Sequence, residues 1–278
     1  MEAAEALYRR LDVQTDPDGA RRETFGSLAG TVSPWGPDLQ HAGPVTGLLA
    51  RAMDRLGPRE GTRISQVRVD LLGPVPVSNV EVRAWVARPG RRIELLEAEM
   101  CAAGPDGAMR PVARSSGWRL KTSDTRAAEH LADAPLEGTD RLEREEAFPL
   151  PEVWRSGFVA TLDWRGASAL GQREGPSHSW MRLRGALVEG EALTDFDRVM
   201  TIVDVANGVG ARLDPAEWLF LNTEITVHLF RPPAGEWVGL RAESSVGPDG
   251  VATSAGVIFG LEGPVGRVAQ NLLVERRR

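Results

Sequence analysis

The chain has 278 residues, of which 42% are hydrophobic and 26% charged, a balance typical of globular proteins. Its net charge of -6 argues against a general nucleic-acid binder, but a few arginines could still hold a phosphorylated ligand. The single cysteine, Cys101, excludes an intrachain disulfide, and neither a secretory signal nor a membrane-spanning apolar run is visible, so we expect a cytoplasmic protein without membrane contact.

The first half of the chain predicts one helix followed by antiparallel strands. Apolar residues between Val45 and Leu56 recur at helical spacing, and Gly57-Pro58 ends that helix. Apolar and polar residues alternate through residues 67–71 and 80–86, as in half-buried strands. One long helix before a run of antiparallel strands predicts an α+β fold.

The second half predicts the same order of elements. A polar stretch over residues 122–148 is interpreted as a linker without a function, between domains at 1–121 and 149–278. Apolar spacing from Val199 to Val209 predicts a helix over residues 197–212. Strands are predicted around residues 218–230, 236–246, 251–260 and 265–275.

The two halves are also similar residue by residue. Residues 67–74 align with 225–232 at a shift of 158, so that Pro74 corresponds to Pro232. Val112 aligns with Val268 at a shift of 156, which places Arg114 opposite Gln270. Two unrelated antiparallel sheets could share alternating valine and leucine, but the prolines and turns also agree. We therefore predict two copies of one unit, each a sheet curled around a single helix.

Several catalytic motifs are absent from the sequence. It contains no Gly-x-Ser-x-Gly elbow, no phosphate-binding loop and no complete dinucleotide glycine fingerprint. The four histidines show no metal-ligand spacing. We therefore expect neither a metal nor a cofactor.

Four stretches of the chain resemble bacterial thioesterase-like proteins related to type II acyl-CoA thioesterases, in which two hotdog units share one chain. The resemblance extends from about Trp35 to Val274 and excludes the linker. It rests on Gln40-His41-Ala42-Gly43-Pro44 with Leu48-Leu49-Ala50-Arg51-Ala52, on Pro74-Val75-Pro76-Val77 with Arg88-Pro89-Gly90-Arg91-Arg92, on Asp204-Val205-Ala206-Asn207-Gly208, and on Asn222 through Thr226-Val227-His228-Leu229-Phe230-Arg231-Pro232 to Gly266-Arg267-Val268-Ala269-Gln270. It implies a double hotdog fold and hydrolysis of an acyl-CoA or acyl-carrier thioester.

The resemblance further implies a water-activating set of Asp, a hydroxyl residue and Gln in the second half. Asp204 and Gln270 occupy two of the expected positions, whereas Asn222 stands where the hydroxyl residue is expected. An amide offers a different donor pattern from a hydroxyl, and the neighbouring Thr223 should point to the other sheet face. The first half lacks this set, which predicts one chemical site per chain.

Physical reasoning also makes Asp204 a candidate, because a carboxylate within an apolar helix is costly unless it is hydrogen-bonded or functional. Thioester hydrolysis needs a base to deprotonate the attacking water, and it needs donors for the oxyanion, such as free N–H groups at a helix N-terminus. Purely structural roles are the alternatives for Asp204, Asn222 and Gln270.

His41 and Gly43, at the start of the first helix, are candidates for substrate contact, with helix capping or packing as the alternative for His41. Trp35, Trp180 and Trp237 are candidates for core or interface positions, and one of them could line an acyl tunnel. Two other functions fit the predicted fold: hydration or dehydration of enoyl thioesters, and binding of acyl chains or CoA without catalysis. Because outer sheet edges need protection, we also expect a homodimer or a higher oligomer.

Overall fold

The computed structural model describes residues 6–142, 150–166 and 175–277, which form two similar units. The first unit contains α1 (Ala42–Asp54) and the strands β1 (Ala6–Thr15), β2 (Arg21–Ser27), β3 (Val32–Ser33), β4 (Gly36–Gln40), β5 (Thr62–Leu71), β6 (Asn79–Arg88), β7 (Ile93–Ala103) and β8 (Met109–Lys121). The second contains α2 (Asp195–Ile202), α3 (Ala206–Val209), β9 (Leu162–Arg165), β10 (Ser177–Leu183), β11 (Ala186–Val188), β12 (Trp218–Leu229), β13 (Val238–Val246), β14 (Val251–Gly260) and β15 (Gly263–Arg276). Of the predicted linker, residues 143–148 lie outside the described part.

All strands except the β3–β4 hairpin join one sheet, in the order β11-β1-β2-β6-β7-β8-β5-β12-β15-β14-β13-β10-β9. The two units meet where β11 pairs parallel with β1 and where β5 pairs antiparallel with β12, and Arg68 lies opposite Thr226 in the β5–β12 ladder. These two residues are also equivalent in the sequence repeat, at its shift of 158. A pseudo-twofold axis therefore passes between them, and the two halves form the predicted double hotdog, each unit a sheet curled around its helix.

The last strands of the two units align differently from the sequence prediction. Ile225 pairs with Gln270, and the equivalent Val67 pairs with Gly117, so Gln270 corresponds to Gly117. The predicted counterpart, Arg114, is wrong because it lies on the exposed face of β8. The cause is loop length, since residues 104–108 join β7 to β8 whereas only residues 261–262 join β14 to β15.

The two helices pack closely against each other through glycines of α1. A Cβ atom on Gly43 would lie 2.6 Å from the backbone oxygen of Thr201, and one on Gly47 would overlap the Thr201 side chain. Since only glycine permits this approach, the first turn of α1 lies beside the end of α2. The close contact of α1 with α2 therefore brings residues of the two units near each other.

The second helix is not continuous, although the sequence predicted one helix over residues 197–212. A capping box between Thr194 and Asp197 starts α2, but the chain tightens into a 3-10 turn at Val203–Val205 before α3. Gln270 Nε2 donates to the backbone oxygen of Asp204 at 2.9 Å, a contact from outside the helix that accompanies the break. No helix in the described part of the chain has the length and apolar character to cross a membrane.

A buried ion cluster also links the units. The guanidinium of Arg51 on α1 is 1% exposed and contacts Glu23 of β2 at 2.9 Å and Glu191 of the second unit at 2.6 Å. Burial would raise the pKa of Glu23, but hydrogen bonds from Arg21 and Arg51 outweigh it and lower that pKa to about 2. Removing one partner from such a pair leaves the other charge buried and unpaired, which is strongly destabilising. Because the cluster includes residues of both units, it should couple the folding of the two units.

Candidate active site

Asp204 lies at the centre of a polar cluster in an otherwise apolar interior. It sits on the 3-10 turn between α2 and α3, and it is 2% exposed. Its Oδ1 accepts hydrogen bonds from Asn222 Nδ2 at 2.7 Å and from Gln270 Nε2 at 3.2 Å. The three second-half residues singled out in the sequence thus meet, although they come from three separate elements.

A β-bulge orients the Asn222 side chain. In β12 the register shifts between Asn222 and Glu224, so Thr223 is the extra residue and both Asn222 and Ile225 face inward. Thr223 itself is exposed, as expected, and its hydroxyl points to the Asn271 carbonyl at 3.4 Å.

The first unit has the same bulge but not the same chemistry. Its register shifts between Ile64 and Gln66, which makes the buried Ile64 the counterpart of Asn222. Gly117 replaces Gln270, and the Cβ position of this glycine would contact the Met53 side chain. The repeat therefore preserves the scaffold, while the polar set is built in the second unit alone among the described residues.

His41 completes the cluster from the first unit. It is the N-cap of α1, its Nδ1 lies 3.0 Å from the Gly43 backbone nitrogen, and its ring packs on Phe158. The same Nδ1 lies 3.0 Å from Oδ2 of Asp204. His41 Nδ1 therefore lies close both to the Gly43 N–H, from which it accepts a hydrogen bond, and to the Asp204 carboxylate. The His41 side chain thus both caps α1 and contacts Asp204.

A pocket of about 310 Å³ opens onto this cluster. It forms where the β5–β12 ladder ends at the pair Asp70 and Glu224, beyond which Leu71 and Leu221 line the pocket. The further lining residues are Ser33, Trp35, Leu39, Gln40, His41, Ala42, Gly73, Pro74, Val75, Asp204, Asn207, Leu219, Asn222, Thr223 and Leu273. Its walls are mainly apolar, which suits an acyl or pantetheine chain better than a charged one.

Gly43 is not among the residues that line this pocket. It lies behind His41 and Ala42, buried against Thr201 and Phe158. Its place in the structure is therefore the close contact of the two helices, and Ala42 takes the position expected of Gly43 at the pocket wall.

The sequence reasoning missed Asn207. This residue is 8% exposed, lines the pocket beside Asp204 and makes no side-chain hydrogen bond within the described residues. It also borders a small apolar cavity formed with Phe220 and Leu272. The spacing Asp204-x-x-Asn207, one helical turn on a single face, was the available signal.

Gln270 carries a second unsatisfied atom of the site. Its Oε1 is buried and has no hydrogen-bond partner among the described residues, although the amide nitrogen is fully used. A buried amide oxygen without a partner costs free energy unless a water or ligand donates to it. Gln270 Oε1 therefore remains an unused acceptor within the cluster among the described residues. Within the described ranges, no group of three or more His, Cys, Asp or Glu residues could hold a metal ion.

Family models match both halves of the chain. Residues 31–120 match the acyl-CoA thioesterase N-terminal domain, and residues 136–274 match the acyl-CoA thioesterase C-terminal domain. Together the two matches cover well over half of the chain. No curated protein matches the sequence.

Solved structures show the same fold at low sequence identity. A conserved protein of unknown function with a hot dog fold, from Alicyclobacillus acidocaldarius, superposes with a TM-score of 0.72 at 14% identity, over 96% of this chain and 97% of that one. The acyl-CoA thioesterase II TesB2 from Mycobacterium marinum superposes with a TM-score of 0.65 at 15% identity, over 96% of each chain. A tesB protein from Mycobacterium avium subs paratuberculosis gives 0.64 at 14% identity, over 91% and 93%. These similarities establish the fold.

Proposed function

Since the chain belongs to the acyl-CoA thioesterase family and is a thioester hydrolase, we propose that it cleaves its substrate by direct attack of a water molecule that Asp204 deprotonates. The observation that supports this most strongly is the convergence of Asn222, Gln270 and His41 on one buried carboxylate at the end of a pocket. Three hydrogen-bonding groups fix its orientation, so a water held there would face a base that needs no rearrangement.

The reaction follows from the atoms at hand. A water donates one hydrogen to the Asp204 carboxylate and the other to the free Oε1 of Gln270, which turns a lone pair toward the thioester carbonyl carbon. Attack forms the carbon–oxygen bond, and the water proton passes to Asp204. The tetrahedral intermediate then expels the thiolate, which takes that proton as the carbon–sulfur bond breaks.

Asn222 occupies the position at which the hydroxyl residue was expected. Its Nδ2 donates to Oδ1 of Asp204 and so helps to fix the carboxylate beside the attacking water. A hydroxyl has one hydrogen to donate whereas the amide NH2 has two, so the amide changes the donor pattern but still orients the carboxylate. In this proposal Asn222 is a positioning residue.

The negative charge that develops on the carbonyl oxygen needs donors. Ala42 lies at the first position of α1 and lines the pocket, where the N-terminal N–H groups of the helix and its dipole favour an anion. His41 holds this end of the helix against Asp204, so donor and base keep a fixed separation. Both units are therefore needed to form one site.

A thiol-release assay over acyl-CoAs of varied chain length tests the proposal. The wild-type protein should release free CoA, and the apolar pocket walls should favour apolar acyl groups over charged ones. Binding of acyl-CoA without any release of thiol would replace hydrolysis by a binding function.

One contact favours a second candidate reaction. The His41–Asp204 pair is the kind of acid–base pair used to hydrate enoyl thioesters, although it joins two helices instead of lying on one. Incubation with an enoyl-CoA, followed by measurement of the conjugated double bond, distinguishes the two reactions. Loss of that double bond without release of thiol would assign the site to hydration.

Light scattering tests the separate proposal that the protein assembles as a homodimer or higher oligomer, and a particle of 30.1 kDa would contradict it.

A further inference from the structure

The pocket that reaches Asp204 offers nothing to bind phosphate. No arginine or lysine is among its lining residues. A CoA thioester carries several phosphate charges at the end of its pantetheine arm, and such groups are held by arginines through charge-assisted hydrogen bonds. If the carrier is CoA, its phosphates must be recognised beyond the pocket walls.

At one rim of the pocket, Arg276 ends β15 and Arg277 follows it. The guanidinium of Arg277 lies over the ring of Trp35 at 5.3 Å, and Trp35 lines the pocket. The guanidinium of Arg276 lies over the ring of Trp218 at 5.2 Å, and the two residues are cross-strand neighbours. Aromatic faces thus hold both cations in place.

Neither cation is neutralised by the protein. Within residues 6–142, 150–166 and 175–277, neither Arg276 nor Arg277 forms an ion pair, although the exposed Glu217 and Glu275 are close in sequence. The Nε and Nη2 atoms of Arg277 are buried without a hydrogen-bond partner. Most other described arginines pair with a carboxylate, so these two positive charges have no internal counter-ion, and the exposed Arg276 can meet an external anion directly.

The distance from Asp204 to this rim fits the carrier. Asn222 contacts Asp204, and Trp218 lies four residues earlier on the same strand, so the separation along β12 is about 13 Å. An extended pantetheine arm is about as long as four or five extended residues. A thioester carbonyl beside Asp204 would therefore place the phosphates near Trp218 and Trp35.

We propose that Arg276 and Arg277, stacked on Trp218 and Trp35, form the phosphate-binding subsite for the CoA part of the substrate. The pantetheine arm then runs through the pocket along β12. This inference rests on the proposed function and assigns its carrier as a free CoA thioester, recognised by phosphate charge at the rim and by apolar contact inside.

Kinetics with two carriers of the same acyl group test the subsite. The substrates are an acyl-CoA and the corresponding acyl-N-acetylcysteamine thioester, which has no phosphate. Arg276→Gln/Arg277→Gln should raise KM for acyl-CoA by about 10- to 100-fold, as expected for lost charge-assisted hydrogen bonds, and leave kcat nearly unchanged. KM and kcat for the N-acetylcysteamine thioester should stay at their wild-type values.

A matched variant controls for the change in overall charge. Arg91→Gln/Arg92→Gln removes two exposed arginines from the β6–β7 turn, away from the pocket lining, and should leave KM for acyl-CoA unchanged. Arg276→Lys/Arg277→Lys should restore part of the affinity, since a lysine keeps the charge but loses the planar stacking.

Three results would overturn the subsite: an unchanged KM for acyl-CoA in the double glutamine variant, an equal rise for both substrates, or an equal rise in the Arg91/Arg92 control. Hydrolysis of both thioesters by the wild type at the same KM would also contradict it, because phosphate would then contribute nothing. Failure of the wild type to hydrolyse either thioester would instead refute the proposed function.

Discussion

The Nδ1 atom of His41, from the first unit, lies 3.0 Å from Oδ2 of Asp204, on the interrupted helix of the second unit. Because His41 also caps α1, two substitutions separate its roles. His41→Asn keeps a good cap and removes the imidazole, whereas His41→Ala loses both and should cost about 1 kcal/mol of stability.

If the contact with Asp204 matters, both variants should lose thioester hydrolysis by at least about tenfold. Only His41→Ala should also show a lowered melting temperature. Full activity in His41→Asn would restrict this histidine to helix capping. Steady-state kinetics combined with thermal unfolding decide between these outcomes.

Asn207→Ala tests the free amide beside Asp204. Its side chain has no hydrogen-bond partner in the described part of the chain and faces the pocket, so it can donate to the acyl carbonyl oxygen as charge develops. Loss of such a donor should lower kcat on the order of 10²-fold. Asn271→Ala, an exposed amide on β15, is the matched control and should keep wild-type kcat. Equal rates for the two variants would exclude Asn207 from the reaction.

Gly47→Ala tests the close helix contact. The new Cβ would overlap the Thr201 side chain, which should push α1 and α2 apart, cost about 1–3 kcal/mol of unfolding free energy and separate His41 from Asp204. Gly73→Ala is the control for stability, because its Cβ would meet no heavy atom within 4 Å. Urea unfolding of both variants measures the difference, and equal stability would argue against the tight packing.

The buried Arg51–Glu23 pair predicts a pH dependence of stability. The pKa of Glu23 is lowered from 4.5 to about 2 in the folded protein. Its stabilising contribution, on the order of 3 kcal/mol, should be complete above about pH 4.5 and lost as the pH falls toward 2. Glu23→Gln should therefore be less stable than wild type at pH 7, and the gap should narrow in acid.

Unfolding free energies of wild type and Glu23→Gln, measured from pH 7 to pH 3, test this. Asp106→Asn, which removes one partner of an exposed pair with Arg110, should change stability by less than about 1 kcal/mol at any of these pH values. A gap for Glu23→Gln that stayed constant with pH would show that ionisation of Glu23 is not its source.

The sequence predicted the repeat and most elements because these depend on local spacing and on the alternation of apolar residues. The helix predicted at 45–56 lies at Ala42–Asp54, and the strand predicted at 251–260 coincides with β14. The strands before each helix, such as β1 and β10, were not predicted. The repeat also suggested that one half alone carries the polar set.

Long-range contacts could not be predicted in the same way. The break at Val203–Val205 accompanies a hydrogen bond from Gln270, far along the chain. The His41–Asp204 contact results from helix packing across the two units. The counterpart of Gln270 was misassigned to Arg114 because a shorter loop changes the register, and a sequence shift alone does not reveal which face a residue occupies.

Asp204→Asn tests most directly whether Asp204 is the general base. The amide keeps the size of the side chain and most of its hydrogen bonds but cannot take the proton of the water, so thiol release should fall on the order of 10²–10⁴-fold while the melting temperature stays near that of wild type. Asp195→Asn, at the start of α2 with 45% of its side chain exposed, should retain full activity. This loss is expected for Asp204→Asn alone, and wild-type hydrolysis by a folded Asp204→Asn protein would contradict the role of Asp204 as the base.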